Sequence, residues 1–329
     1  MESTSGRNQA RNPGGSAPAL LVALSLASAL RAQPPVLSKE YIRLGGRILA
    51  IEVQAPTGNP TFEGWACLSC GISTSGWQVV GAADFDGNGV PDLVYQNTST
   101  FQINVDYYGG PGGATFIGWA CLSCSVPGGT AGWQVVAVAD FNRDGVPDLV
   151  YQNQQINQMN VNYFGGAGGA LFQGWAMLNS RAGMSGWRVA GAADFDGNGT
   201  PDLIWQNNST NQVNVNYYTG TTLTGSAVLN SGSGMSGWRV AAAADFDGNG
   251  VPDLVWQNSS INQVNVNYYG GSGGATLIGS ECLSCSVPGG VAGWQLRAAA
   301  DFDGNGTPDP VYQNIQSPYA VHVNYYYRP

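Results

Sequence analysis

Five short segments of this sequence place oxygen-bearing side chains at the same offsets. In the first, Asp84, Asp86, Asn88 and Asp92 stand at positions 1, 3, 5 and 9, with Gly89 at position 6 and the backbone carbonyl of Val90 at position 7. The other four supply Asp140, Asn142, Asp144, Val146 and Asp148; Asp194, Asp196, Asn198, Thr200 and Asp202; Asp245, Asp247, Asn249, Val251 and Asp253; and Asp301, Asp303, Asn305, Thr307 and Asp309. Hard oxygen donors at alternate positions, wound past a glycine that accepts positive φ, match what calcium requires. Magnesium demands a stricter octahedron, and a transition metal wants imidazole or thiolate, which these segments lack. The alternative is an ion-free turn, since Asp, Asn and Gly favour turns by themselves; such a turn has no need of the carboxylate at position 9. The second segment departs from the rest, with Arg143 at position 4 and Asp144 at position 5, and Pro310 follows the last Asp of the fifth.

Charge supports the ion reading. Of 21 acidic residues, 15 fall in these five loops, where they repel one another unless a cation intervenes. Five divalent ions would move the formal charge from -9 to about +1. A negative balance also argues against nucleic acid and anionic membrane as partners, both of which are bound through Lys and Arg.

The elements that hold the loops repeat with them. The loops begin at Asp84, Asp140, Asp194, Asp245 and Asp301, so the period runs 56, 54, 51 and 56 residues, which suits one four-stranded propeller blade. Within each unit a Gly-Trp and a run of small apolar residues, such as Trp77 to Phe85, predict an inner strand. The acidic loop follows, then a strand such as Leu93 to Asn97, then an alternating strand such as Val213 to Tyr217. A glycine-rich turn such as Gly109 to Gly113 leads to a fourth strand, such as Thr115 to Ala120. With 48 glycines, 11% aromatic residues and no helical periodicity, the chain reads as all-β, a propeller of about five four-stranded blades.

The ends carry further information. Arg7 and Arg11 precede an apolar stretch from Ala17 to Leu30, which predicts an export signal over residues 1–32. A linker over 33–46 and the propeller over 47–329 follow. Residues 47–52 (RILAIE) align with a third strand and Thr61 to Cys67 with a fourth, while the C-terminal run Ala320 to Tyr326 is a third strand with no fourth behind it. The expected closure has the N-terminal fourth strand complete the last blade and hide its edge. RILAIE and the C-terminal run then compete for one slot.

The loops and their flanking strands resemble the FG-GAP/VCBS repeat family, found in integrin α-subunit propellers, in exported bacterial proteins and in a fungal propeller lectin. The Gly-Trp lead and the WQN segment are most similar to the bacterial VCBS form, and the resemblance runs from about residue 47 to 327. It implies calcium-binding loops on a propeller, usually of seven blades where this chain has repeats for about five. It implies no single activity, because the same blades serve adhesion, sugar binding and accessory roles in enzymes.

Six cysteines form three CLSC pairs: Cys67 with Cys70, Cys121 with Cys124, and Cys282 with Cys285. Two repeats lack both members, at Met177 to Ser180 and Val228 to Ser231, so local disulfides are expected in an exported chain. Free thiols, or metal or redox chemistry, are the alternatives. Trp77, Trp133, Trp187, Trp238 and Trp294 recur once per repeat and are expected between blades. Trp65, Trp119 and Trp175 lie on the outer strand, where packing is the ordinary role and stacking on sugar rings the functional one.

Catalytic residues are not evident. His322 is the only histidine, and no nucleophile elbow is present. The carboxylates outside the loops and the leader (Glu40, Glu52, Glu63, Asp106, Glu281) show no pairing. The sequence therefore predicts a secreted or cell-surface calcium protein, not an enzyme, that binds carbohydrate or an extracellular protein. A structural or display domain with no ligand is the rival reading, and a glycan-active hydrolase a third.

Overall fold

The computed structural model describes residues 40–44, 47–52 and 58–329, except 70–73, 127–129, 157, 180–184, 234, 288–290 and 317–318. The expected export signal lies outside these residues. Two units are distinguished, residues 1–51 and 52–329. In the first, β1 (Glu40–Leu44) pairs with β2 (Arg47–Glu52) in a two-stranded sheet. RILAIE is therefore not a blade's third strand, and a strand stands where a linker was expected.

The second unit is a five-bladed propeller. It opens with β3 (Thr61–Cys67). Blade 1 is β4 (Trp77–Ala83), β5 (Asp92–Asn97), β6 (Ile103–Gly109) and β7 (Thr115–Cys121). Blade 2 is β8 (Gln134–Ala139), β9 (Asp148–Asn153), β10 (Gln158–Gly165) and β11 (Leu171–Asn179). Blade 3 is β12 (Trp187–Ala193), β13 (Asp202–Asn207), β14 (Val213–Thr219) and β15 (Thr222–Asn230). Blade 4 is β16 (Arg239–Ala244), β17 (Asp253–Asn258), β18 (Gln263–Gly270) and β19 (Thr276–Cys282). Blade 5 is β20 (Trp294–Ala300), β21 (Asp309–Asn314) and β22 (Val321–Tyr327), completed by β3, whose Ala66 pairs with Val323. The last blade thus draws strands from both ends of the unit, as the repeat arithmetic requires, and its third slot belongs to the C-terminal run.

Inner strands touch their neighbours all the way round: β4 meets β8, β8 meets β12, β12 meets β16, β16 meets β20 and β20 meets β4. Small residues are needed there. A methyl on Gly81 would lie 2.3 Å from a Val138 methyl of the next blade. Between blades the core is apolar; Phe85, Val94, Ile103 and Val105 of blade 1 cluster with Val135, Leu149 and Tyr151 of blade 2. The five repeated Trp residues pack at the margins of such clusters, as expected.

Polar staples add direction to four of the five seams. Gln96 donates to the Trp133 carbonyl at 2.8 Å and accepts the Val135 N–H at 3.0 Å, so a side-chain amide imitates a strand's backbone toward the next blade. Gln206, Gln257 and Gln313 repeat this, the last closing blade 5 onto Trp77 and Val79 of blade 1. The Tyr107 hydroxyl donates to Gly168 of blade 2 at 2.6 Å, and Tyr217 and Tyr325 do the same at their seams.

The glycine turns between third and fourth strands press on the preceding blade. Gly113 has φ 62°, and a Cβ there would stand 2.2 Å from the Phe302 carbonyl oxygen. Gly113→Val should therefore destabilise the fold by about 2–4 kcal/mol, from overpacking plus left-handed strain. Gly87→Ala, with φ 75° but open space around it, should cost only the backbone term of about 1 kcal/mol. Urea unfolding of the two variants checks the order, which equal losses would contradict.

Candidate metal centres

Each acidic loop joins the inner strand of a blade to its second strand. The Phe at position 2 (Phe85, Phe141, Phe195, Phe246, Phe302) is buried and anchors the loop in the inter-blade core. Position 1 organises the turn: in blade 1, Asp84 Oδ1 accepts the N–H groups of Gly87 and Asn88 and Oδ2 accepts that of Gly89, at 2.8 to 3.1 Å. The turn needs its glycine, since Gly89 has φ 84°.

Position 9 opens the second strand and is fully buried in all five blades. Asp92 Oδ2 accepts the Phe85 N–H at 2.8 Å and Oδ1 accepts the Tyr108 N–H of the third strand at 2.9 Å. Asp148, Asp202, Asp253 and Asp309 repeat both bonds. The carboxylate thereby ties loop, second strand and third strand together. Burial pushes Asp92 and Asp202 up to about 6, Asp148 and Asp253 up to about 7, and Asp309 up to about 8, against the lowering pull of the backbone N–H groups.

In blades 1, 3, 4 and 5 three carboxylates converge. One oxygen from each of Asp84, Asp86 and Asp92 lies within 4.8 Å of the other two, and so for Asp194, Asp196 and Asp202, for Asp245, Asp247 and Asp253, and for Asp301, Asp303 and Asp309. Oxygens bound to one calcium at about 2.4 Å are separated by at most about twice that length. The spacing and the all-oxygen donor set fit such an ion, so four clusters can hold a metal. In blade 2, Asn142 takes the place of the middle carboxylate and its Nδ2 donates to Asp144 Oδ2 at 3.0 Å.

Position 5 has a role that sequence reasoning missed. Asn88 Nδ2 donates to the Tyr108 carbonyl at 2.7 Å, and its Oδ1 accepts the Val90 N–H at 2.7 Å. Asn198, Asn249 and Asn305 make the same bond to the third strand. Asp144 has no donor with which to do so. Instead Arg143, at φ 63°, reaches across the seam and donates to the Asn198 carbonyl and to Thr200 Oγ1, the latter at 2.7 Å. Blade 3 turns tightly through Gly220 between its outer strands, without the glycine run that staples other seams. The seam from blade 4 to blade 5 also has an arginine: Arg328 donates to the Phe246 carbonyl at 2.9 Å and lies 5.0 Å from the Tyr268 ring centre.

The outer aromatic residues point outward. Trp65, Trp119 and Trp175 are each more than half exposed. Trp65 has one face occupied by His322, at 4.5 Å between ring centres, and His322 also meets Trp294 at 4.3 Å, so the single histidine packs between two indoles. Cys121 is bonded to Cys124 and Cys282 to Cys285, as local pairs. Cys67 is disulfide-bonded as well; Cys70 lies outside the described residues. Among the described residues, no helix is long and apolar enough to cross a membrane, which says nothing of membrane β-barrels.

Residues 194–256, from the loop of blade 3 into the second strand of blade 4, match the FG-GAP-like repeat. Among solved structures, the chain is similar to a mutant Photorhabdus luminescens Tc holotoxin pore, at 16% identity and a TM-score of 0.41, over 83% of this chain and 15% of that one. A TcdB2–TccC3 structure without its hypervariable C-terminal region matches at 16% identity and a TM-score of 0.44, over 83% of this chain and 16% of that one. The chain thus spans under a fifth of the length of these structures. No curated protein matches it.

Proposed function

We propose that this chain, a propeller with an FG-GAP-like repeat at residues 194–256, is exported and calcium-loaded, and that its role is to bind and not to catalyse, with carbohydrate or an extracellular protein surface as its target. The observation that carries the calcium part is the convergence of three carboxylate oxygens within 4.8 Å in each of four blades. Asp84, Asp86, Asn88, the Val90 carbonyl and Asp92 would hold the first ion, and the equivalent residues the others; the bound ion supplies positive charge that keeps these buried carboxylates ionised. In blade 2 the set would be Asp140, Asn142, Asp144, Val146 and Asp148, with its three carboxylates at positions 1, 5 and 9 instead of 1, 3 and 9.

The binding part rests on the outer strands. Phe116, Ile117 and Trp119 of blade 1, Leu171 and Trp175 of blade 2, and Leu277 and Ile278 of blade 4 are all exposed there, large apolar side chains available to a partner. Flat indole faces suit sugar rings or a protein contact. The same edge strands also favour the second reading, a display domain that associates edge to edge with other chains. A glycan and cell-surface array probed in calcium and again in EGTA tests the proposal. Retention that is lost in EGTA, and weakened at least tenfold in Trp119→Ala and Trp175→Ala, is expected. A folded, calcium-loaded chain retained by nothing on broad arrays would leave the display reading in its place.

A further inference from the structure

At the start of the inner strands, opposite the end that carries the acidic loops, all five blades line a cavity of about 490 Å³ on the axis of the ring. A bulge interrupts each inner strand's pairing, between Val79 and Gly81 in β4 and at the equivalent place in the others. Two positions per blade consequently face the axis: the residue after the repeated Trp and the bulged residue itself. Blades 1 and 2 present amide and apolar side chains there. Blades 3, 4 and 5, which are consecutive, present Arg188, Arg239 and Arg297.

From residue 58 onward the sequence contains six arginines and no lysine, and three of the six converge on this cavity. No Asp or Glu lines it. Arg188 is held back by the Gln206 side-chain oxygen and by the Val240 carbonyl at 2.8 Å. Arg239 is exposed, opening the cavity to solvent, and among the described residues neither it nor Arg297 has a hydrogen-bond acceptor. Arg297 Nε is buried without a partner. Burial and the neighbouring Arg239 charge together lower Arg188 to about 9 and Arg297 to about 10, the mark of guanidiniums crowded without a counter-charge. A fold that gathers half its scarce cations at one place, against their own repulsion, presents a ready field for an anion. Guanidinium forks match the paired oxygens of carboxylate, sulfate and phosphate.

The volume says more. At about 490 Å³ the cavity falls in the range of small-molecule sites and exceeds what a bare ion fills. Apart from Thr98 and Ser259, the rest of its polar side-chain lining is amide: Gln78, Gln134 and Gln295 occupy the ring position that Arg188 and Arg239 occupy in the other blades. Amides donate to and accept from hydroxyl groups. We propose that the axial cavity binds an acidic sugar, its oxyanion facing Arg188, Arg239 and Arg297 and its hydroxyls facing the glutamines. This deepens the carbohydrate-binding reading and rests on it, but makes no use of the acidic loops.

Calorimetric titration of the full chain with glucuronic acid, sodium sulfate and glucose, at constant ionic strength, tests it. Saturable binding of glucuronic acid, at least tenfold tighter than that of glucose, is expected. Loss of one charge-assisted contact should weaken it by about tenfold or more in R239Q, and likewise in R297Q. Because Arg239 is exposed and its charge is unopposed, R239Q without ligand should melt no lower than the parent chain. Sulfate held as tightly as glucuronic acid would assign the cavity to free oxyanions and overturn the sugar. No saturable binding of either anion, or equal binding by the parent and both variants, would overturn the site itself. Such a chain still stabilised by calcium would leave the ion reading standing.

Discussion

Chelation with EGTA is expected to lower the melting temperature by roughly 20 °C or more. An ion that binds only the folded chain adds about 2.7 kcal/mol per site at a hundredfold excess over Kd, so four independent clusters contribute on the order of 10 kcal/mol. In a domain of this size each kcal/mol is worth about 2–4 °C. The direction with pH follows from the position 9 carboxylates. Their folded-state pKa values are raised, up to about 6 for Asp92 and about 8 for Asp309, above an unfolded value of 3.8. A raised pKa means that the folded chain holds the proton more tightly. The resulting stability is full below the unfolded value and is lost as pH rises through the folded one. Metal-free protein should therefore melt higher at pH 5 than at pH 8.5. Calcium, which binds the ionised form, should reverse that order. Scanning calorimetry at the two pH values, with and without EGTA, checks both statements. Identical curves in calcium and EGTA, from protein that elemental analysis finds ion-free, would reduce the loops to turns.

Asp92→Ala is expected to cost about 2–4 kcal/mol even in EGTA. Removing this fully buried side chain leaves the Phe85 and Tyr108 N–H groups without acceptors, at about 1–3 kcal/mol each, partly offset by relief of the buried charge. Asp86→Ala makes the sharper comparison. Asp86 is exposed and accepts only from Asn88 within its own loop, so its loss should leave the metal-free chain within about 0.5 kcal/mol of the parent. Both variants should lose one calcium equivalent by titration. Equal stability of the two in EGTA would show that position 9 serves the ion alone.

Some of this was readable in residue order and some was not. The D-x-D-x-N-G-x-x-D string exposed the donors because a cluster of hard ligands on one short loop is a local event. Strand order was equally legible, since each unit's four strands are consecutive and pair antiparallel with their neighbours. The glutamine of the second strand was not legible as a staple. Gln96 and Val135 are far apart in sequence and meet only when two blades are laid side by side. Asn88 was read as an ion ligand, yet its amide nitrogen reaches the third strand's Tyr108 carbonyl, a contact that depends on how the blade folds back on its loop. In sequence Arg143 is only a departure from the loop pattern; in the ring it bridges to the neighbouring loop at Asn198 and Thr200.

The competition between the two ends shows where the line falls. Sequence alone determined that the last blade lacked a fourth strand and that Thr61 to Cys67 could supply it, because strand identity is written in an alternation of side chains over a few residues. Only the tertiary structure decided that Val321–Tyr327 takes the third slot, that RILAIE pairs with β1, and that Arg188, Arg239 and Arg297 share one axial cavity. Local pattern says which face a side chain is on; closing the ring is what says which other faces it meets.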